Sequence, residues 1–310
     1  MWYYPSMQNN GPKLTPDFMA MVTEKYAGPL PVSIRQALRF YPEAKYYVYG
    51  SDLLPETVAK LKAISPNVVV HDWTMLYLPV AVKYNRRFVR MKMLGMLRDV
   101  VKSYLTGRFE NKSMESLFAA QRFEVIIQNK LRVIKHHNDT YQKPFVFIDA
   151  DAFLINPFDE LLDGSYDIGF TVREKSRHSY AHNRCALLFA GIFWFMGDYE
   201  TNRAFIDEWC KEARKTDEMN SEQTSLARWL HRLKPDIYDE INATHTLKMN
   251  GQAIRVRTLD ANIYNATAFE GPEGFDAKRD RDRIKVLHLK NSRFETPLFK
   301  KLAEDLDIEI

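Results

Sequence analysis

The sequence predicts an α/β fold in which a mostly parallel central sheet is flanked by helices. Segments with strand-like apolar runs alternate with segments of helical periodicity through the first half of the chain. The run Phe145–Ile148 is apolar throughout, as expected for a strand buried on both faces. Two carboxylates, Asp149 and Asp151, follow it directly. Acids at the end of a buried strand lie where open α/β sheets bind their ligands.

The other predicted elements follow in chain order. Residues 2–5 are a candidate first strand, and Pro31 suits the first turn of a helix that ends before Pro42. Later candidates are strands at 45–49 and 68–70, helices at 88–104 and 115–137, strands at 167–172 and 187–195, two further helices, and a strand at 284–289. In the second half, strands and helices therefore alternate less regularly than in the first half.

Composition indicates a globular protein with a substantial core. The chain has 310 residues, of which 45% are hydrophobic and 27% charged. Two cysteines, Cys185 and Cys210, are too few for a disulfide scaffold or for a zinc site made of cysteine alone. The net charge of +4 permits an anionic substrate without requiring a nucleic acid.

No targeting or membrane-spanning segment is recognisable. The first residues lack a signal-peptide pattern, and the longest apolar stretch, 186–197, has about a dozen residues where a span needs ~20. We therefore expect a cytoplasmic protein of microbial or viral origin, with peripheral membrane association left open. The N-x-[ST] triplets are then expected to be accidental; they begin at Asn111, Asn138, Asn242 and Asn265.

The acid pair and a late histidine are candidate metal ligands. Asp149 and Asp151 offer hard oxygen donors, which suit Mg²⁺ or Mn²⁺ held together with a substrate phosphate. His288 closes an apolar strand and Lys290 follows it. A histidine there is commonly a core residue, but near the acid pair it would complete a metal site, and Lys290 would neutralise phosphate.

Two helices carry polar residues on apolar faces. Lys130 falls within a stripe that includes Ile126, Ile127 and Ile134, so it either snorkels to water or reaches an anion at the sheet edge. Glu222 and Gln223 begin the inward face of a later helix. The preference of acids for the first helical turn is the alternative explanation for Glu222.

Taken in order, these segments resemble the GT-A glycosyltransferases that use nucleotide-diphosphate sugars. The resemblance spans roughly residues 30–294 and rests on Lys130 in its helix, the Asp149-Ala150-Asp151 strand end, Asn156-Pro157-Phe158, Ala190-Gly191-Ile192-Phe193, Glu222-Gln223 and His288. Ala190 stands where the family usually has asparagine. Lys290-Asn291-Ser292-Arg293 replaces the Gly-x-x-Lys-Pro-Trp run that often follows the histidine.

The resemblance implies a GT-A, Rossmann-like mixed sheet and one catalytic domain over 1–310, with a nucleotide-sugar half (1–155) and an acceptor half (156–310). The activity implied is metal-dependent hexosyl or pentosyl transfer to a hydroxyl, with a UDP-sugar the foremost donor and Mn²⁺ or Mg²⁺ as cofactor. Glu222 or Gln223 would act as a base if the reaction inverts, or stabilise the sugar cation if it retains. The implied metal ligands are Asp149, Asp151 and His288; the donor-binding residues are Tyr3, Tyr4, Lys130, Asp149, Ala190, Gly191 and Lys290; and the catalytic residues are Glu222, Gln223 and Asp149.

The acceptor is the least constrained part of the prediction. A basic loop at 173–184 is either solvated surface or a binding surface for an anionic glycan, a lipid head group or DNA. Its residues of interest are Arg173, Lys175, Arg177 and Arg184.

Two other functions compete with the glycosyltransferase prediction. A sugar-phosphate nucleotidyltransferase should open with a Gly-rich phosphate loop, which residues 7–12 match poorly. The acid pair, Lys130 and Glu222 argue against a non-catalytic carbohydrate- or nucleic-acid-binding module.

Overall fold

The structure is a computed structural model that describes residues 14–74, 97, 112–173, 187–216, 220–267, 280–289, 297–306 and 308. Several sequence predictions fall outside these residues. They are the strand at 2–5, the helix at 88–104 apart from residue 97, and the site residues Tyr3, Tyr4, Lys175, Arg177, Arg184 and Lys290.

Among the residues that the structure describes, eight strands form one large sheet and three form a small one. The strands are β1 (Asp17–Thr23), β2 (Tyr46–Ser51), β3 (Val68–Asp72), β4 (Phe145–Ile148), β5 (Ala152–Leu154), β6 (Ile168–Val172), β7 (Leu188–Phe195), β8 (Thr244–Met249), β9 (Gln252–Asp260), β10 (Ala266–Thr267) and β11 (Val286–His288). The large sheet has the order β3-β2-β1-β4-β7-β6-β9-β8, and only β7 and β8 of its eight strands run against the others. The predicted mostly parallel, mixed sheet is confirmed.

Helices cover both faces of the large sheet. They are α1 (Leu30–Phe40), α2 (Pro55–Lys62), α3 (Lys112–Tyr141), α4 (Tyr199–Lys215), α5 (Ser221–Leu233), the short α6 (Ala261–Tyr264) and α7 (Pro297–Asp305). Alternate residues of β4 pack into two different hydrophobic cores, because successive side chains of a strand point to opposite faces of the sheet. Phe145 and Phe147 pack in the core that includes α3, α4 and α5, whereas Val146 and Ile148 pack in the core that includes α1. No helix among the described residues is long and apolar enough to cross a membrane.

The small sheet brings a distant segment to the end of β4. It has the order β10-β11-β5, and β5 begins directly after the turn that carries Asp149 and Asp151. In the antiparallel pairing of β5 with β11, His288 lies opposite Ala152. The chain thus passes from the large sheet into the small sheet through the acidic turn, and β11 returns a histidine to the same place.

Two differences from the predicted elements have local causes. The strand β1 was not predicted, because its Met19, Ala20 and Met21 are not typical strand residues. The hairpin of β8 and β9 was also not predicted. Its two-residue turn is Asn250-Gly251, in which both residues have positive φ (49° and 82°), as a type I′ turn requires.

Candidate metal and donor site

The acidic turn is fixed by backbone hydrogen bonds on both sides. Asp149 N–H donates to the Gly191 carbonyl of β7 (2.8 Å), and Ala152 N–H donates to the Asp149 carbonyl (2.9 Å). Leu289 N–H, just beyond β11, donates to the Asp151 carbonyl (2.9 Å). The two carboxylate side chains nevertheless keep 29% and 30% of their surface exposed. The turn therefore holds two accessible carboxylates on a rigid, otherwise buried backbone.

His288 completes a cluster with the two acids. Its Nε2 lies 3.1 Å from Asp151 Oδ1 and 4.0 Å from Asp149 Oδ2, and each of the three residues offers a ligand atom within 4.8 Å of the others. Two acceptor atoms at 3.1 Å require a proton or a cation between them. Two carboxylates and one imidazole are a donor set that suits Mn²⁺ and also accommodates Mg²⁺. The three predicted metal ligands thus converge in space.

A bulge in β7 makes room for the histidine. The pairing of β6 with β7 shifts register from Phe170–Phe193 to Thr171–Phe189, so the segment that includes Gly191 bulges. A Cβ atom at Gly191 would lie 2.4 Å from His288 Nδ1 and 2.6 Å from its Cε1. Position 191 therefore requires glycine, because any side chain there would overlap the imidazole of His288. The imidazole of His288 occupies the volume that a side chain would take.

Lys130 projects from α3 into the base of the site. Its Nζ donates to the Ala190 carbonyl (2.7 Å), pairs with Asp149 Oδ1 (2.9 Å), and lies 3.7 Å from Glu222 Oε1 and 4.6 Å from the ring centre of Phe147. Only 9% of the side chain is exposed, so the ammonium does not snorkel to water. Burial alone would lower the pKa of Lys130, but the charges of Asp149 and Glu222 outweigh it and the pKa is raised. Lys130 is therefore a buried cation that joins two carboxylates.

Glu222 is placed by the start of α5. The helix begins after Asn220, whose φ of 54° is left-handed, and the Glu222 carbonyl accepts bonds from Trp209 Nε1 (2.8 Å) and Ser225 Oγ (3.0 Å). Its side chain is buried and directed at Lys130. Gln223, the next residue, is half-buried. Preference for the first helical turn does not explain a glutamate that packs against a buried lysine.

The two acids of the turn differ electrostatically. Burial raises the pKa of Asp149, and the opposing charges of Lys130 and His288 do not cancel this effect. Burial also acts to raise the pKa of Asp151, but the charge and hydrogen bond of His288 outweigh it, so this pKa is lowered. Asp151 is therefore the more readily ionised of the two.

The Phe189 ring contacts both Arg173 and the cluster. The Arg173 guanidinium lies 4.2 Å from the ring centre of Phe189, and that ring stacks on the imidazole of His288 with centroids 5.2 Å apart and planes 14° apart. Arg173 is the member of the predicted basic loop that the structure describes. Its guanidinium contacts the same Phe189 ring that stacks on His288.

Sequence reasoning missed one polar neighbour of the cluster. Asn265 Oδ1 lies 3.1 Å from His288 Nδ1, across 23 residues of chain. The asparagine was noted only as the start of a glycosylation-type triplet. Nothing in the sequence links it to His288, because the contact depends on how α6, β10 and β11 pack.

The comparisons with known proteins support the fold. The sequence matches no protein-family model, and no curated protein matches it significantly. Its structure is similar to that of the bifunctional glycosyltransferase WbbM in apo form (TM-score 0.54, 12% identity), covering 98% of this chain and 50% of that one. It is also similar to the galactosyltransferase LgtC in complex with donor and acceptor sugar analogues (TM-score 0.50, 10% identity), covering 95% of this chain and 96% of that one.

The chain thus spans half of the WbbM chain and nearly all of LgtC. Identities of 10–12% show a shared fold. The protein has the GT-A fold of glycosyltransferases, as the sequence predicted, and its Asp149-x-Asp151 turn lies in a cluster with the donor set of a metal site.

Proposed function

We propose that this protein is a metal-dependent glycosyltransferase that moves a sugar from a nucleotide-diphosphate donor to a hydroxyl acceptor. The observation that carries the proposal is the convergence of Asp149, Asp151 and His288 at the carboxyl end of β4 in a GT-A fold. This is the edge at which open α/β sheets bind ligands. The similar structures of WbbM and LgtC are those of glycosyltransferases, which supports the same class of reaction.

Asp149, Asp151 and His288 would hold Mn²⁺ or Mg²⁺. When bound, the ion would neutralise negative charge on the diphosphate leaving group. Asp151 is the better direct ligand because its Oδ1 lies 3.1 Å from His288 Nε2, whereas Asp149 divides its carboxylate between Lys130 and the cluster. We propose that the Asp149 oxygen facing the cluster serves the ribose and the metal ion.

Lys130 acts mainly by organising the donor side of the site. Its ammonium has three N–H groups, of which one donates to the Ala190 carbonyl and one pairs with Asp149. The third is available to Glu222 or to a phosphate oxygen of the donor. Ala190 and Gly191 belong to this arrangement through their backbone, because their carbonyls receive Lys130 and Asp149 N–H.

Glu222 and Gln223 are proposed to face the reacting sugar. The carboxylate of Glu222 lies 3.7 Å from the ammonium of Lys130, so the geometry favours an electrostatic role for Glu222 over proton abstraction. Such a role suits a retaining reaction, in which positive charge develops on the sugar. The base role of an inverting reaction is the alternative, and the two differ in the effect of Glu222→Gln on kcat.

The acceptor is proposed to approach from the side of Arg173. The guanidinium, stacked on Phe189, would attract an anionic group, such as a phosphorylated glycan, a lipid head group or DNA. Residues 1–155 would then form the donor side and 156–310 the acceptor side of one domain. The metal ligands come from both, with Asp149 and Asp151 in the first half and His288 in the second.

A donor-turnover assay tests the proposal. The protein would be incubated with Mn²⁺ and a panel of nucleotide-diphosphate sugars, beginning with UDP-sugars, and released nucleoside diphosphate would be quantified. We expect turnover of at least one donor, and its loss in EDTA or in Asp151→Asn. Asp236→Asn is the matched control, because Asp236 is an exposed acid beyond the end of α5 that lies opposite to Glu222.

The assay also separates the competing functions. A nucleotidyltransferase would release pyrophosphate from a nucleoside triphosphate and a sugar phosphate, and a binding module would turn over nothing. Either outcome would contradict the proposal, as would full activity of Asp151→Asn in EDTA.

A further inference from the structure

Asn265 links His288 to two strands of the large sheet. It is buried and lies between α6 and β10. Its Nδ2 donates to Thr171 Oγ1 of β6 (3.0 Å) and to the Phe189 carbonyl of β7 (3.2 Å), while its Oδ1 lies 3.1 Å from His288 Nδ1 of β11. One side chain thus fixes the position of the imidazole relative to the bulge in β7.

The neighbours of Asn265 determine which way its amide faces. The Phe189 carbonyl can only accept hydrogen bonds, so the amide nitrogen must be directed at it. Thr171 Oγ1 donates its own hydrogen to the same carbonyl (2.7 Å), which leaves its lone pairs for Asn265 Nδ2. A flipped amide would set Oδ1 against the Phe189 carbonyl oxygen. The amide oxygen therefore points at His288.

The amide in turn determines which nitrogen of His288 carries hydrogen. Asn265 Oδ1 can only accept, so His288 Nδ1 must be the donor. In the neutral imidazole the lone pair then lies on Nε2, the atom that faces Asp151. The stack with Phe189 cannot make this choice, because ring stacking does not distinguish the two nitrogens.

We propose that Asn265 is a positioning residue that holds His288 in the Nδ1–H tautomer, so that Nε2 is available to a divalent cation. The inference rests on the proposed metal site. It assigns to Asn265 the role that outer partners of metal-binding histidines play, in which a hydrogen bond to the distal nitrogen fixes ring orientation and tautomer. Thr171 and the Phe189 carbonyl support that role by orienting the amide.

The first test is the metal affinity of an Asn265→Leu variant. Leucine branches at Cγ as asparagine does, although it is larger, and it has no acceptor for Nδ1–H. Calorimetry with Mn²⁺ alone should show a 10- to 100-fold weaker affinity, by roughly the loss typical of an outer partner. Asn202→Leu is the control, because Asn202 is also buried and its Nδ2 donates to a backbone carbonyl, that of Gly197 beyond the far end of β7. It should leave the Mn²⁺ affinity unchanged.

The second test observes the tautomer of His288 in the wild-type protein. In metal-free protein labelled with ¹⁵N at its histidines and studied at alkaline pH, the His288 proton should already reside on Nδ1 and exchange slowly with water. Adding diamagnetic Cd²⁺ should then shift the Nε2 resonance and leave that proton in place. His288→Gln identifies the resonance, and Asn202→Leu should not change it.

The outcomes separate this proposal from the broader one. If the wild-type protein binds neither Mn²⁺ nor Cd²⁺, the metal site fails and the role of Asn265 fails with it. If the wild type binds metal but Asn265→Leu binds it equally well, or if the His288 proton resides on Nε2, only the role of Asn265 is overturned.

Discussion

The substitution Gly191→Ala adds one methyl group where the structure has no space for it. The new Cβ would lie 2.4 Å from His288 Nδ1, 2.6 Å from His288 Cε1 and 2.9 Å from Asn265 Oδ1. Since carbon atoms in contact are normally separated by about 3.5 Å or more, the imidazole would have to move by roughly 1 Å. Metal sites tolerate changes of only about 0.2 Å in ligand distance.

We therefore expect Gly191→Ala to reduce Mn²⁺ affinity at least ~10-fold and to lower the free energy of unfolding by about 1–3 kcal/mol, as overpacking does. Calorimetry measures the first quantity and urea unfolding the second. Gly169→Ala is the matched control, because its Cβ would also be crowded, at 2.9 Å from the Tyr166 ring, but away from the metal-ligand cluster. It should lose stability and keep its Mn²⁺ affinity. Wild-type affinity in Gly191→Ala would refute the argument that this glycine makes room for His288.

Three further predictions concern buried charges. Lys130→Met should lower the free energy of unfolding in urea by about 3 kcal/mol, because it leaves Asp149 and Glu222 without their shared cation; unchanged stability would show that the ammonium is dispensable. Glu222→Gln should reduce kcat only modestly if Glu222 acts electrostatically, and a large loss of kcat with donor Kd preserved would instead identify it as the base. Burial lowers the pKa of His137 from 6.5 to about 3, and the charges of His71 and His136 add to this effect. As the pH falls, the unfolded chain therefore takes up a proton at this histidine before the folded protein does. The free energy of unfolding then decreases as the pH falls below 6.5. Urea unfolding at pH 7.5 and 4.5 should show a loss of roughly 2–3 kcal/mol from this residue, which His137→Phe removes and the exposed-site control His136→Gln retains.

Local sequence was sufficient to predict the centre of the fold. The run Phe145–Ile148 followed by Asp149 and Asp151 predicted a buried strand with acids at its end, and the structure has this arrangement. Several elements around it were also recognisable from their own patterns, among them α1, β2, β3, β6 and β7, whereas β1, which pairs directly with β4, was not predicted. The β8–β9 hairpin was missed although Asn250-Gly251 between alternating strands is a signal for it.

The contacts of the site depend on packing that the sequence does not display. Lys130 was recognised as unusual within an apolar stripe, but its partner Glu222 comes from another helix and the Ala190 carbonyl from another strand. Gly191 was expected to line the donor sugar through the family resemblance, whereas the structure shows that the imidazole of His288 fills its missing side chain. Such tertiary contacts join residues far apart in the chain, and no local pattern encodes them.

In the proposed function, Asp149, Asp151 and His288 together hold the metal ion that the donor diphosphate contacts. Crystals grown with Mn²⁺ and UDP, measured at the manganese absorption edge, test it most directly. We expect an anomalous peak in contact with Asp151 and His288 Nε2, with diphosphate oxygens on its open side. UDP bound at this edge of the sheet with no peak among the three residues, or a manganese peak elsewhere, would contradict it.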